Sequence, residues 1–385
     1  MFDNRKYECG AVSLFIVIFA ALLISVVTVS FIRIMVRDQQ QATAIDLSQS
    51  AYDSAQAGVE DAKRALLRYE TLCASDPAST ACATAKTKID SLECNESLDG
   101  IVTVTDNEVK VQQTAGDKAL DQAYTCVKID LQTDSYIGTL DKDGTKTIPL
   151  TGVSDFDSIR LDWFSAKDLQ SDVKTIDVPS FTSGTPLLTQ SSWISATTPN
   201  RPPVMRTQLM QFGSNGFLLS DFDGITNSAN TSNTNTLFLY PSSIISSTST
   251  SFASNTRQSP SAPTLAHCDA TLRSGGYSCS ATITLPNPIG GGTRTAYLDL
   301  STLYRRSSYQ VTLLSGSGVV QFDAVQPKVD STGRANDLFR RVESRIETSG
   351  GSVYPYAAVV VTGNLCKNFS VADTASSYSA SSCMP

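Results

Sequence analysis

The run Ala11–Ile32, AVSLFIVIFAALLISVVTVSFI, followed by Asp38–Glu70, DQQQATAIDLSQSAYDSAQAGVEDAKRALLRYE, decides how this chain is organised. The first stretch holds 22 residues without a charge. At 1.5 Å rise per residue, a helix of that length spans roughly the 30 Å hydrocarbon core of a bilayer. Arg33 and Arg37 follow at once, and the residues before it, MFDNRKYECG, are polar and carry Arg5 and Lys6. A secretory signal has a shorter apolar region and ends at a small-residue cleavage site. Here no clear A-x-A exit occurs and the run feeds directly into polar sequence, so it reads as a retained membrane span. The second stretch is rich in Ala, Gln, Leu and Glu, lacks proline, and has Gly58 as its one glycine, a modest cost to a helix. Ile45, Tyr52, Ala55, Val59, Ala62 and Leu66 recur at spacings of seven, three and four, which places them on one helical face. Asp61 and Arg64 form an i, i+3 pair away from it, and Asp76-Pro77 stops the run. Together the stretches predict one helix from about residue 11 to 72, roughly 90 Å long, with an apolar stripe on its second part that needs a partner surface.

Composition removes several function classes. The 385 residues include 30 Lys+Arg against 37 Asp+Glu, for a net charge of −7, and a single histidine, His267. One imidazole cannot build a multi-histidine metal shell, and an acidic balance argues against nucleic acid as a partner. Ser and Thr make up roughly a quarter of the chain, which suits an exported protein rich in strands and loops. No G-K-[ST] follows the glycines of Pro288–Thr293, and no G-x-S-x-G elbow occurs. Glu343 and Glu347 sit among Arg340, Arg341 and Arg345 and read as a solvated strand face. The chain is expected not to be an enzyme and to need no cofactor.

After Asp90 the apolar period shifts toward two. Ile101–Thr105 and Val109–Val111 flank Asp106-Asn107 as a hairpin. Further strands are expected at 124–131, 159–164, 204–212, 237–240, 295–300, 309–314, 319–322, 338–346 and 357–365. The fold class is therefore α+β: a long N-terminal helix packed on an antiparallel sheet, enlarged by a second sheet or subdomain. Between Gly213 and Pro263 lie Ser/Thr/Asn tracts that cannot bury enough apolar surface to offset ordering entropy, and they read as a surface loop. Asn95-Glu96-Ser97, Asn230-Thr231-Ser232 and Asn368-Phe369-Ser370 match glycosylation sequons. Asp141-Lys142-Asp143-Gly144 and the pair Asp221 and Asp223 before Gly224 are calcium candidates. A full loop needs further ligands, and turns using Asp and Gly explain both.

A basic polar leader ending in Gly10, an apolar half-helix, an amphipathic half-helix and a β-rich body together resemble a type IV pilin or pseudopilin. Gly10-Ala11-Val12-Ser13-Leu14 and AYDSAQAGVEDAKRAL resemble the opening of the PilX-type minor pilins; beyond about 70 residues the likeness is one of architecture. The resemblance implies cleavage after Gly10 by a prepilin peptidase and N-methylation of Ala11. It also implies partnership with other pilin subunits through the N-terminal helix. The protein would wait in the cytoplasmic membrane, single-pass with its C-terminal part outside, and then enter an extracellular pilus. Phe15 departs from the family, since major pilins carry glutamate at the fifth mature position. That favours a low-copy or tip subunit, which could also attach to a host or neighbouring-cell surface. An uncleaved single-pass anchor bearing an adhesin, or a pseudopilin of a secretion or DNA-uptake apparatus, is the alternative. The segments expected are a leader (1–10), a membrane or filament-core half-helix (11–32) and an amphipathic half-helix (33–75). A β-rich part (76–212), the Ser/Thr/Asn loop region (213–263) and a second β-rich part (264–385) complete the chain.

Nine cysteines are awkward for an oxidised exported domain. Cys9 lies in the leader, and its removal leaves an even eight. Cys268 and Cys279 occupy two alternating runs joined by a Gly-containing turn and could bridge a hairpin. Cys366 and Cys383 enclose a short polar loop, in the position where many type IV pilins carry a C-terminal disulfide loop. Cys73, Cys82, Cys94 and Cys126 allow three pairings, with Cys73–Cys82 and Cys94–Cys126 favoured. No C-x-x-C occurs, so no metal site is expected.

Overall fold

The computed structural model describes residues 10–76, 78–111, 121–170, 175–180, 189–195, 197–211, 234–245, 249–251, 264–290 and 296–347. Helix α1 (Gly10–Ser75) leads into α2 (Thr80–Ile89), β1 (Val109–Lys110) and β2 (Gln122–Thr133). Then come β3 (Tyr136–Leu140), β4 (Thr145–Pro149), β5 (Phe156–Ser165), the one-turn helix α3 (Gln190–Trp193), β6 (Val204–Gln211) and β7 (Thr234–Ser242). They are followed by β8 (Ser249–Ser251), β9 (Thr264–Cys268), β10 (Tyr277–Ile289), β11 (Ala296–Leu303) and β12 (Ser307–Ser315). The last are β13 (Gly318–Val320), β14 (Phe322–Ala335) and β15 (Leu338–Arg345). The fold is α+β, one long N-terminal helix with two largely antiparallel sheets. The chain forms two compact units: Met1–Lys128 with Val329–Ser344, and Ile129–Lys328 with Arg345–Pro385. It passes from one to the other inside β2, inside β14 and at the end of β15.

In the first unit the second half of α1 buries Ala51, Ser54, Ala55, Val59, Ala62, Ala65 and Leu66. The expected stripe is thus corrected at its upper end: Ile45 and Tyr52 are 59% and 43% exposed. The reason is backbone proximity. A methyl on Gly333 of β14 would lie 2.1 Å from the Ala51 carbonyl oxygen and 2.3 Å from the Ala55 nitrogen, and one on Gly58 would lie 2.4 Å from Ser331 Oγ. Only Ala, Gly and Ser fit where strand and helix come this close, so the buried face is rotated toward the small residues and away from Tyr52. The sheet order here is β1-β2-β14-β15. Tyr124 of β2 donates to Asp61 at 2.8 Å, while Asp61 also receives Arg64 at 2.9 Å. Arg334 ties β14 to Glu108 at 2.7 Å and Asp121 at 3.0 Å.

Asp106 and Asn107 take φ of +54° and +63°, the tight primed turn their residue types favour. Thr105 and Glu108 exchange both backbone hydrogen bonds across it. The expected first arm, 101–105, makes only isolated bridges, at Val102 with Asp99 and at Thr105 with Glu108, and β1 pairs with β2 instead, Val109 opposite Tyr124. The sequon at Asn95 begins on a buried side chain. Asn95 is 4% exposed, donates to Thr125 O and Asn107 O, and accepts from Val127 N at 2.9 Å. Its φ of +65° suits asparagine.

Among its described residues the second unit forms one sheet of eleven strands, ordered β13-β12-β5-β10-β9-β7-β6-β11-β4, with β3 on β12 and β8 on β10. β3 and β4 are separated by only the turn at 141–144, yet pair with β12 and β11 respectively. The sheet therefore curls over so that its far ends meet. One core fills the interior, drawing Tyr136 and Leu140 from β3, Ile148 from β4, Trp163 from β5, Leu298 from β11 and Val311 from β12. Trp163 spends its indole N–H on Pro203 O at 3.2 Å. A smaller cluster joins Trp193, Val204 and Tyr240, with Tyr304 stacked on Trp193 and the Arg201 guanidinium over its ring. Within 213–263, β7 contains the strand expected at 237–240, with Leu237, Leu239 and Tyr240 buried between β6 and β9, and the short β8 adds a strand to the segment read as loop.

Candidate functional site

The feature that most constrains function is the free part of α1. From Leu14 to Val36 its large apolar side chains are exposed on every side: Phe15 77%, Phe19 70%, Val26 66%, Phe31 68% and Met35 75%. Mean hydropathy reaches 2.9 over its most apolar window, and the helix is long and apolar enough to cross a membrane. A helix apolar all round is stable only when lipid or other protein surrounds it. Its few polar groups are suited to that. Ser25 Oγ donates to Ala21 O, Thr28 Oγ1 to Ile24 O and Ser30 Oγ to Val26 O, each at 2.8 Å, so these three hydroxyls are satisfied within the helix and need no water. Arg33 and Arg37 mark where the apolar run ends.

Gly10 and Ala11 begin α1, and the helix passes without interruption through Phe15 to Ser75, one residue before Asp76. No acidic residue occupies its first turn. The helix then ends in a covalent clasp: Cys73 joins Cys82 of α2, whose first turn is capped by Ser79 Oγ accepting from Cys82 N. Cys94 joins Cys126 of β2, and Cys268 joins Cys279 directly opposite it in the β9–β10 pairing. Cys366, Cys383, Asp221, Asp223, the residues 1–9, the strand expected at 357–365 and the sequons at Asn230 and Asn368 lie outside the described residues.

The remaining candidates resolve into structure. Asp143 has φ of +57° and Gly144 N donates to Asp141 O at 2.9 Å, a turn linking β3 to β4. Among the described residues no group of three or more His, Cys, Asp and Glu side chains could hold a metal ion. Glu347 accepts from Tyr136 and pairs with Lys146. Arg341 pairs with Asp330, and Arg340 reaches Ser48 of α1. His267 uses Nδ1 on Ile245 O and lies 3.4 Å from Asp269 through Nε2. Burial, reinforced by Asp61, pushes the Tyr124 hydroxyl well above the usual phenol range; burial likewise raises Tyr136, and raises Tyr240 to about 12.

No family model, curated protein or solved structure matches this chain. What it does must be read from its own helix and sheets. The signal that sequence inspection missed was the role of glycine. Gly58 and Gly333 carry no side chain to show a periodicity, yet they set how closely β14 approaches α1.

Proposed function

We propose that this chain is a low-copy subunit of a type IV pilus or pilus-like filament, anchored in a membrane by residues 11–32 before it assembles. The observation that carries this is the two-part character of α1. One unbroken helix of 66 residues is bare and apolar through its first half and is built into a sheet through its second. Such a helix serves two surroundings in turn. Each large apolar side chain moved from water to a protein or lipid neighbour contributes about 1.5–3 kcal/mol. The same surface can therefore hold the protein in a bilayer and later cohere with neighbouring helices. Three disulfides in the parts beyond the span fit an oxidising compartment. Phe15, where major pilins carry a glutamate, supports a minor or tip position, and surface attachment accords with the extensive second unit.

Mass spectrometry of the protein recovered from membranes and from sheared filaments tests the reading. An N-methylated peptide beginning at Ala11, found in the filament fraction, is the expected result. Retention of Met1 together with absence from filaments would replace it with a single-pass anchored surface protein.

A further inference from the structure

The outer face of the second unit carries a feature unrelated to the helix. Strands β9, β10, β5 and β12 are neighbours, and their registers align one polar row across them. His267 lies opposite Ser280, Ser280 opposite Asp162, and Asp162 opposite Gln310. Two residues along, Thr282, Arg160 and Thr312 form a second row on the same face, since side chains two apart share a face. The opposite face of these strands is the core, with Ile159, Leu161 and Trp163 buried.

Two clefts of about 400 Å³ and 390 Å³ open on this floor and share Arg160 and Gln310. The first is walled by the β9–β10 turn, Arg273 to Gly275, with Tyr277 at its side. That turn is fixed by the Cys268–Cys279 bridge at its base. The second is walled by the β12–β13 hairpin. Both cations of the first cleft are neutralised in place, Arg160 by Asp162 at 3.0 Å and Arg273 by Asp269 at 2.9 Å. Thr312 is among the residues lining the second cleft, and its Oγ1 is buried without a hydrogen-bond partner among the described residues.

We infer that this face binds a neutral carbohydrate. Charge-balanced pairs such as Arg160–Asp162, joined through Arg160 Nε and Asp162 Oδ2, offer donors and acceptors side by side, which matches vicinal hydroxyl groups. Gln310, shared by both clefts, adds donor and acceptor functions in one amide. An anionic ligand would find no unpaired cation in the first cleft. An extended peptide adds to a sheet edge and needs apolar side-chain pockets, whereas this floor is a polar sheet face. The assignment holds whether or not the chain enters a filament.

The test is saturation-transfer NMR on the full chain in a detergent without a sugar headgroup, such as a dimethylamine oxide. The probes are methyl α-mannoside, methyl β-galactoside and N-acetylglucosamine, with sialyllactose as the anionic comparison. Transfer to at least one neutral sugar is expected. Its affinity should fall by about tenfold or more in both Gln310→Ala and Asp162→Asn, with the thermal transition retained. If Asp162→Asn fails to fold, Gln310→Ala alone decides. Silence from all three neutral sugars, transfer that survives the foldable variants, or binding confined to sialyllactose would each overturn the inference.

Discussion

Replacing Gly333 by alanine is the sharpest probe of how α1 is held by its sheet. The added methyl would stand 2.1 Å from the Ala51 carbonyl oxygen and 2.3 Å from the Ala55 nitrogen, where real Cβ atoms essentially never come under 3.0 Å. Both atoms belong to helix backbone, so no rotamer change can relieve the overlap. β14 and α1 must part by about 1 Å, loosening the contacts of Ala51, Ser54 and Ala55, each now fully buried. Overpacking a tight core costs about 1–3 kcal/mol, and a backbone clash belongs at the top of that range. For a unit of this size, about 3 kcal/mol lowers Tm by about 6–12 °C. The assay is thermal unfolding of the full chain in detergent, with hydrogen-exchange protection followed at residues 51–66. Gly318→Ala serves as the control, because its nearest neighbour would be Ser315 O at an ordinary 3.5 Å; its effect should stay within about 0.5 kcal/mol. A Gly333→Ala protein that melts with the wild type and keeps its protection at Ala51 and Ala55 would refute the packing described.

Other outcomes follow from the same structure. Opening Cys94–Cys126, which closes a separation of 32 residues, should cost about 3.7 kcal/mol, against about 2.8 for Cys268–Cys279 at 11; paired Cys→Ser variants compared by denaturant melts will show the order. Asn95→Ala strips partners from three backbone groups and should cost about 2–4 kcal/mol, and expression in a glycosylating host should leave Asn95 bare on peptide mapping. Tyr240 has a folded pKa raised from 10.0 to about 12, so the protonated form is favoured in the folded state. Its contribution is complete below pH 10 and is lost as pH rises through 12, a loss that Tyr240→Phe should reduce in alkaline unfolding followed at 295 nm. Lysines at both Leu22 and Ile24 should cost about 6 kcal/mol of insertion, moving protein out of the carbonate-resistant membrane fraction.

The helix was legible because its signal is local and long: an uncharged run, then a proline-free segment, then Asp76. The stripe was legible only in part, because periodicity counts large apolar residues while the packed face is chosen by the strand that lies on it. Tyr52 scores as apolar and Ser54 does not, yet Ser54 is buried and Tyr52 is 43% exposed. Most strands announced themselves by alternation. β14 did not, since Pro327 and Gly333 punctuate its pattern, and its place between β2 and β15 depends on partners far away in sequence. β3 and β4 were missed for a related reason: each is five residues long and gains its pairing from β12 and β11, some 160 residues on. The polar rows on the outer face could not be seen at all, because cross-strand register is not written in any one segment.

The route of the chain between its two units has a consequence for proteolysis. Three separate crossings join them, within β2, within β14 and at the last residue of β15. Cutting the backbone at any one of them leaves the units covalently linked through the other two. Releasing one unit from the other by cleavage at the crossings therefore takes three cuts rather than one.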